Sequence, residues 1–398
     1  MQLMNSEWKT VTLGDVCEIY RGGSPRPIKN YITSDPSGVN WIKIGDVSPD
    51  GKYINRTAEK ILPSGIKHSR LVERGDFLLS NSMSFGRPYI CQIDGCIHDG
   101  WLVLKKISNS FVPDYLYYIL RSPNVSVQFD QLAKGSTVRN LNRDSAAKVL
   151  VPVPPLSEQE RIVGILDAAF EKIDKIQRNA ERNLANAKEL FQQVLDEEMT
   201  PKAGWNVASL KDLTTNLGDG IHGTPIYDPS GDYYFINGNN LEQGRIVFRE
   251  NTKRVSASEA KKNILNLTNK TLLVSINGTL GRVAFYQGEK IILGKSACYF
   301  TLKDPIENKY AYYIFSSDIF LNYAKKEATG ATINNVSLKS MRNFKVYYPS
   351  TVKQKEIVCR IDALKVLLSR FEERCQKTIF DCNLLKEALL SQAFNGEL

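Results

Sequence analysis

Val151-Pro152-Val153-Pro154-Pro155-Leu156-Ser157-Glu158-Gln159-Glu160-Arg161-Ile162-Val163 is the stretch on which the fold turns. Its first half excludes helix, because each proline removes a backbone donor and pushes the residue before it towards extended backbone. Its second half starts one. Ser157 and Glu160 stand at capping-box spacing, hydroxyl to the N–H three residues on and carboxylate back. Beyond it, apolar or small residues fall at Ile162, Leu166, Ala169, Ile173, Ile176, Ala180, Leu184, Ala187, Phe191 and Val194, with one slip near Leu184. The pattern returns after Pro349. Thr351 and Gln354 take the box positions, and the stripe runs Ile357, Ile361, Leu364, Leu368, Phe371, Cys375, Thr378, Cys382, Leu385, Leu389 in alternating steps of four and three. Stripes of this period belong to helices that pack on another helix. Ser157 to Met199 is 43 residues, about 60 Å at helical rise. Ordinary core helices run about three turns, so the stripes predict a rigid antiparallel pair rather than core helices of one large domain.

Outward from these helices, the chain is written twice. Tyr115, Tyr117, Tyr118 and Ile119 recur 195 residues on as Tyr310, Tyr312, Tyr313 and Ile314. Gly86-Arg87 with Gly281-Arg282, Gly135 with Gly330, Gln159 with Gln354 and Asp167-Ala168 with Asp362-Ala363 keep the same offset. Trp8, Leu13 and Asp15 match Trp205, Leu210 and Asp212 at 197. Constant offsets near half the chain length mean duplication. Within each half, Val39–Asp46, Gly75–Ser80 and Lys270–Ser275 read as strands, and Pro113–Arg121 and Lys309–Ser316 as short amphipathic helices. The expected fold class is α+β: two β-rich domains, 1–154 and 201–350, alternating with two long helices, 155–200 and 351–398. The helices form an antiparallel coiled coil, and the internal duplication has pseudo-twofold symmetry.

Bulk properties limit the function. With 398 residues, two or more domains are expected. Lys plus Arg is 52 against 43 Asp plus Glu, a net charge of +9 that favours an anionic partner, of which nucleic acid is the commonest. No window approaches the roughly 18 unbroken apolar residues of a membrane span, and the first ten residues lack a signal-peptide core. The seven cysteines include no CxxC pair and read as reduced, mostly buried thiols of a cytoplasmic protein. His68, His98 and His222 lie at no metal-ligand spacing, so neither a metal nor a cofactor is expected. Gly218, Gly220 and Gly223 fit GxGxxG, but Thr224-Pro225 and Pro229 follow, which is turn chemistry rather than a helix opening on a phosphate. No Walker loop, no Asn-Pro-Pro-Tyr segment and no defensible nucleophile constellation occurs, so the chain reads as non-catalytic.

The proline-to-helix stretch resembles the "PPLxEQxxI" entry into the central helix of type I restriction–modification specificity subunits. Leu389-Leu390-Ser391-Gln392-Ala393-Phe394-Asn395-Gly396-Glu397-Leu398 is similar to that family's usual ending. Trp41–Val47, Gly278–Arg282 and the threonine-bearing turns after Gly135 and Gly330 also fit. The second helix entry departs from the pattern, with Lys355 for Glu and the double proline lost. The resemblance implies that each domain is a target-recognition domain reading one half of an asymmetric, bipartite sequence in double-stranded DNA. The helices would fix an unread spacer and dock two methyltransferase subunits, with restriction subunits joining them. A fused methyltransferase or a coiled-coil scaffold with protein-binding ends remain as alternatives.

Candidate DNA contacts follow from the chemistry of base edges and phosphates. In the first domain they are Arg21, Ser24, Arg26 and Lys29, then Ser84, Arg87, Lys134, Ser136, Thr137, Arg139 and Asn140. In the second they are His222, Thr224, Asn237, Asn239, Asn240, Asn277, Thr279, Arg282, Lys295, Thr332, Asn334 and Asn335. Asparagine and glycine also simply make turns, and each Gly-Arg pair could equally maintain the fold. Ile162, Leu166, Ile173, Ile176, Ile357, Ile361, Leu364, Leu368, Phe371 and Leu385 are the candidates for helix pairing.

Overall fold

The computed structural model describes residues 8–48, 51–81, 86–133, 140–329 and 334–398. The chain divides into two compact units, residues 1–181 with 376–398, and residues 182–375. Two helices dominate, Leu156–Met199 and Thr351–Asn395, of 44 and 45 residues, and each contributes to both units.

In the first unit, Lys9–Thr12 pairs antiparallel with Leu150–Val153, closing the globular part immediately before the long helix. Two five-stranded sheets lie between these ends. One runs Ile32–Thr33, Glu59–Ile61, Val39–Ile42, Gly95–Ile97, Arg70–Val72. The other runs Glu18–Arg21, Trp101–Lys105, Phe77–Ser80, Pro88–Cys91, Tyr53–Ile54. The core gathers Leu79, Leu102, Tyr115, Leu116 and Phe129, together with Ile162 and Leu166 of one long helix and Leu390 and Phe394 of the other. In the second unit, Asn206–Ser209 pairs with Lys345–Tyr348, as the duplication requires. A four-stranded sheet (Thr214–Asp219, Ala297–Leu302, Thr271–Ser275, Val283–Phe285) and a three-stranded one (Arg254–Val255, Tyr233–Ile236, Ile291–Leu293) form its body. Its core joins Leu272, Phe300, Tyr310 and Phe315 to Leu195 and Met199 of one helix and Ile357 and Ile361 of the other.

The quoted stretch is a joint, and the joint is built twice. Gln159 is fully buried. Its Oε1 accepts from the Val112 N–H at 2.8 Å, and its Nε2 donates to the carbonyls of Ser110 at 2.7 Å and Pro154 at 2.9 Å. Gln354, also fully buried, accepts from Glu307 N–H and donates to the Pro305 and Pro349 carbonyls, all at 3.0 Å. Tyr118 donates to Asp167, and Tyr313 donates to Asp362 at 2.5 Å, which adds a second tie between short helix and long helix in each unit. The hydrogen bonds of Lys309 and Tyr313 outweigh burial and hold the Asp362 carboxyl below its ordinary range.

The helix caps lie earlier than in the capping-box reading, by two residues in the first helix and one in the second. The first helix begins at Leu156, with Gln159 N–H on the Pro155 carbonyl. The second is capped by Ser350, whose Oγ accepts from Lys353 N–H. The Gln354 side chain is spent on the globular unit instead of the helix end.

The helices pack antiparallel in each unit. In the first, Arg161 Nη2 donates to the Leu398 carbonyl at 2.7 Å and Lys386 Nζ meets Asp174 at 2.5 Å. In the second, Lys188 meets Glu372 at 3.5 Å, and Arg360 binds Glu198 through two bonds of 2.9 and 2.7 Å. Of the stripe residues, Ile162, Leu166, Ile173, Ile357 and Ile361 are buried and Leu368 is half-buried. Ile176, Leu364, Phe371 and Leu385 are 52, 37, 40 and 50% exposed. Where a globular core backs the helices the stripe is covered. Elsewhere two helices alone cover only its centre.

Candidate nucleic-acid interface

In the first unit the Glu18–Arg21 strand opens into the loop Gly22–Pro27, laid against the His98–Gly100 turn. Gly22 is required there: a Cβ would lie 2.1 Å from the His98 carbonyl oxygen. The second unit repeats this at Gly220, where a Cβ would lie 2.0 Å from the Leu293 oxygen. The backbone frame is therefore shared, while the side chains on it are not.

On the first frame, Asp99 collects the loop. Ser24 Oγ donates to its carboxylate at 2.6 Å, Arg26 lies 3.5 Å from the other oxygen, and Arg21 Nε reaches its main-chain carbonyl at 3.3 Å. The Ser24 bond holds the Asp99 carboxyl below its usual range. Asn81, buried, carries the connection onward. Its Nδ2 donates to the Asp99 carbonyl, its N–H to the Gly100 carbonyl, and its own carbonyl accepts from Leu141 N–H. The loops bearing Arg21, Arg26 and Asn140 thus share one rim. Lys29 is exposed on the short helix Ile28–Asn30. Arg87 is exposed, and its N–H bonds Ser80 Oγ at 3.1 Å. Ser84, Lys134, Ser136, Thr137, Arg139 and Thr332 lie outside the described residues.

On the second frame the charges are exchanged. Asp219, at the end of the Thr214–Asp219 strand, bonds the exposed His222 at 2.9 Å, and Lys295 stands on the facing turn. The glycine triplet follows a strand but opens a loop. Thr224 is exposed on that loop. Ser296 joins the pieces. It accepts from Gly238 N–H, donates to Asn237 Oδ1 at 2.9 Å, and its carbonyl accepts from Ile276 N–H. Beyond Ile276, Asn277 Nδ2 bonds Asn335 Oδ1 at 3.2 Å, and Gly278 N–H bonds the Asn334 carbonyl. Thr279 is exposed beside them.

Four of the expected residues, Asn237, Asn239, Asn240 and Arg282, line one polar cleft of about 420 Å³ with Tyr227, Glu242, Arg249 and Asn251. Asn240 is a fold-maintaining member: it is buried, its Oδ1 accepts from Asn237 N–H and its Nδ2 donates to the Val247 carbonyl. Arg282 instead stays on the surface, 3.7 Å from Glu242, which also binds Arg249. Sequence reasoning selected donors and passed over Asp99, Glu242, Asn81 and Ser296. Carboxylates do not suggest DNA contacts, and only the fold reveals which residue ties distant loops together.

A family model described as the type I restriction modification DNA specificity domain matches the chain twice, over residues 5–183 and 202–379. The chain is 22% identical over 98% of its length to the type I restriction enzyme StySPI specificity subunit of Salmonella potsdam, covering 89% of that protein. It is 20% identical over 99% of its length to the EcoBI specificity subunit of Escherichia coli, covering 87% of that protein. Among solved structures, a chain of a type I restriction–modification system superposes with a TM-score of 0.74 at 19% identity, covering all of both chains. The HsdS subunit from Thermoanaerobacter tengcongensis superposes at 0.53 and 19%, covering 99 and 98%.

Proposed function

Since the chain belongs to the type I restriction–modification DNA-specificity family, we propose that it directs a methyltransferase to an asymmetric, bipartite sequence in double-stranded DNA. The reading domains are residues 1–154 and 201–350, and each takes one half-site. The helices 155–200 and 351–398 set the unread spacer between half-sites and dock two methyltransferase subunits, which restriction subunits then join. The chain reads DNA in the cytoplasm and leaves the chemistry to its partners. Among the described residues no helix is long and apolar enough to cross a membrane.

One observation carries this reading. The joint, the closing strands and the loop frame are built twice, whereas the polar groups at the two rims differ: Arg21, Ser24 and Arg26 around Asp99 on one, Asp219, His222 and Lys295 on the other. Duplicated scaffolds with different rims suit two different half-sites. Backbone and phosphate contacts give affinity, and rim side chains give the sequence. The helix face supports the docking role. Leu190, Leu367 and Phe371 are exposed along an apolar groove of about 510 Å³ lined also by Ala187, Phe191, Val194, Leu364 and Leu368. Exposed patches of this kind mark protein contacts.

Methylation-sensitive long-read sequencing of DNA from cells with the gene intact and deleted tests the proposal. A split, asymmetric methylated motif that disappears on deletion is the expected result. Unchanged methylation, with the methyltransferase expressed and active, rules the reading out.

A further inference from the structure

We propose that Asp99 and Glu242 are positioning residues for base reading, each fixing a pair of arginines that address guanine in its own half-site; this rests on the DNA-reading function above. In the first unit Asp99 holds Arg26 through its carboxylate and Arg21 through its carbonyl. In the second, Glu242 bonds Arg249 directly and sits 3.7 Å from Arg282, while both arginines donate to the Asn239 carbonyl at 2.9 and 3.4 Å. The two arrangements use different, non-equivalent segments of the duplicated frame, so they are not inherited from the repeat. They share only their chemistry.

Exposure and charge point to that chemistry. The groups are exposed: the side chains are 82% exposed for Arg26, 40% for Arg249 and 36% for Arg282. The Ser24 bond ties the loop to Asp99, but exposed ion pairs add little to stability, so the pairing of each carboxylate with arginine is not explained by holding the fold together. A carboxylate on a surface that meets phosphates also repels the ligand, so its presence there calls for a compensating use. Aiming the guanidinium is that use. Arg21, bound through Nε, keeps both terminal nitrogens free in the fork that matches guanine O6 and N7, whereas Arg249 binds Asn239 and Glu242 through its two terminal nitrogens and has Nε–H and one N–H on each of them left for a base. Ordering before binding removes the entropy cost of immobilising a long side chain on contact. The carboxylate also partly cancels the arginine's charge, which weakens sequence-independent attraction relative to base readout. The cleft at Glu242 places the free amides of Asn239 and Asn251 beside the same arginines.

The experiment uses the full chain in its own cells, with the methylated motif mapped for Asp99→Asn and Glu242→Gln separately. Asp99→Asn relaxes discrimination about tenfold at a guanine position in one half-site only. Glu242→Gln does the same in the other half-site only, and the melting temperature of each purified variant stays at the wild-type value. Arg26→Lys and Arg249→Lys, which keep the charge but lose the fork, reproduce the same division and serve if a carboxylate variant does not fold. The proposal is overturned if the two carboxylate variants relax the same half, both halves, or neither. A wild-type chain that directs no methylation at all removes the underlying reading instead, and the proposal falls with it.

Discussion

Replacing either joint glutamine with leucine should loosen the globular part from its helix by an amount set by three hydrogen bonds. Gln159→Leu keeps the approximate volume but removes one acceptor and two donors, leaving Val112 N–H and the Ser110 and Pro154 carbonyls without their partner. Each bond contributes about 1 kcal/mol net, and a buried group left unpaired costs about 1–3 kcal/mol. Ser110 and Val112 border solvent and recover part of that through water, so we work with about 3 kcal/mol in total. At roughly 2–4 °C per kcal/mol for a unit of this size, the melting transition of that unit falls by about 6–12 °C. Gln354→Leu, with its three bonds at 3.0 Å, should match it. Gln193 lies exposed on the same long helix, and Gln193→Leu should stay within about 0.5 kcal/mol. Scanning calorimetry measures the transitions, and hydrogen exchange at Val112 and Glu307 reports opening of each joint. A loss below about 1 kcal/mol in both joint variants would refute the assignment of the motif glutamine as the tie between helix and domain.

Three further outcomes follow from the helices. Leu367→Asp and Phe371→Asp, at residues 59 and 40% exposed, should leave stability within about 0.5 kcal/mol yet abolish co-purification with the methyltransferase subunit; retained co-purification puts docking elsewhere. Phe394→Ala removes a side chain 1% exposed, set edge-on to Tyr115 at 5.3 Å, and should destabilise the first unit by about 3–5 kcal/mol, read by denaturant titration. The Arg360 bond holds the Glu198 carboxyl below its ordinary range, so its stabilising share is complete above the unfolded carboxylate value and is lost as pH falls through the lower folded one. Glu198→Gln should therefore flatten the acid limb of the second unit's stability profile; an unchanged limb means the pair contributes nothing.

What was legible in the sequence follows the physics of each element. Long helices announce themselves because their stripe repeats many times, and the joint because proline forbids helix just where Gln159 and Gln354 must turn inward. Duplication made the short elements readable by comparison: Pro113–Arg121 forms a helix as expected, and Asn308–Ser316 starts one residue early. The stripe did not tell which positions a neighbour covers. Ile173 and Ile176 look alike in sequence, yet one is buried and the other half exposed, because burial depends on what packs alongside. At the rims, donors such as Arg21 and Arg282 were legible from their side chains. Asp99, which anchors Arg21, and Ser296, which ties the second unit's rim loops together, were not, since each acts through contacts to segments more than 55 residues away in sequence, such as Ser24 and Asn237.

The joint and the rim answer opposite demands, and their energetics divide accordingly. Linked readers gain from each other only while the second is presented at a defined place, because effective concentration collapses when the link is loose. A joint made of surface ion pairs would open easily, since such pairs are worth under about 1 kcal/mol each. The joints here instead use buried amides with every donor and acceptor matched, where opening leaves several groups unpaired at once. The rims are free to vary for the same reason. Arg26, Arg249 and His222 are exposed and lie outside the hydrophobic cores, so under the proposed function exchanging them changes what is recognised while the stability of the frame, fixed at Gln159 and Gln354, is left alone.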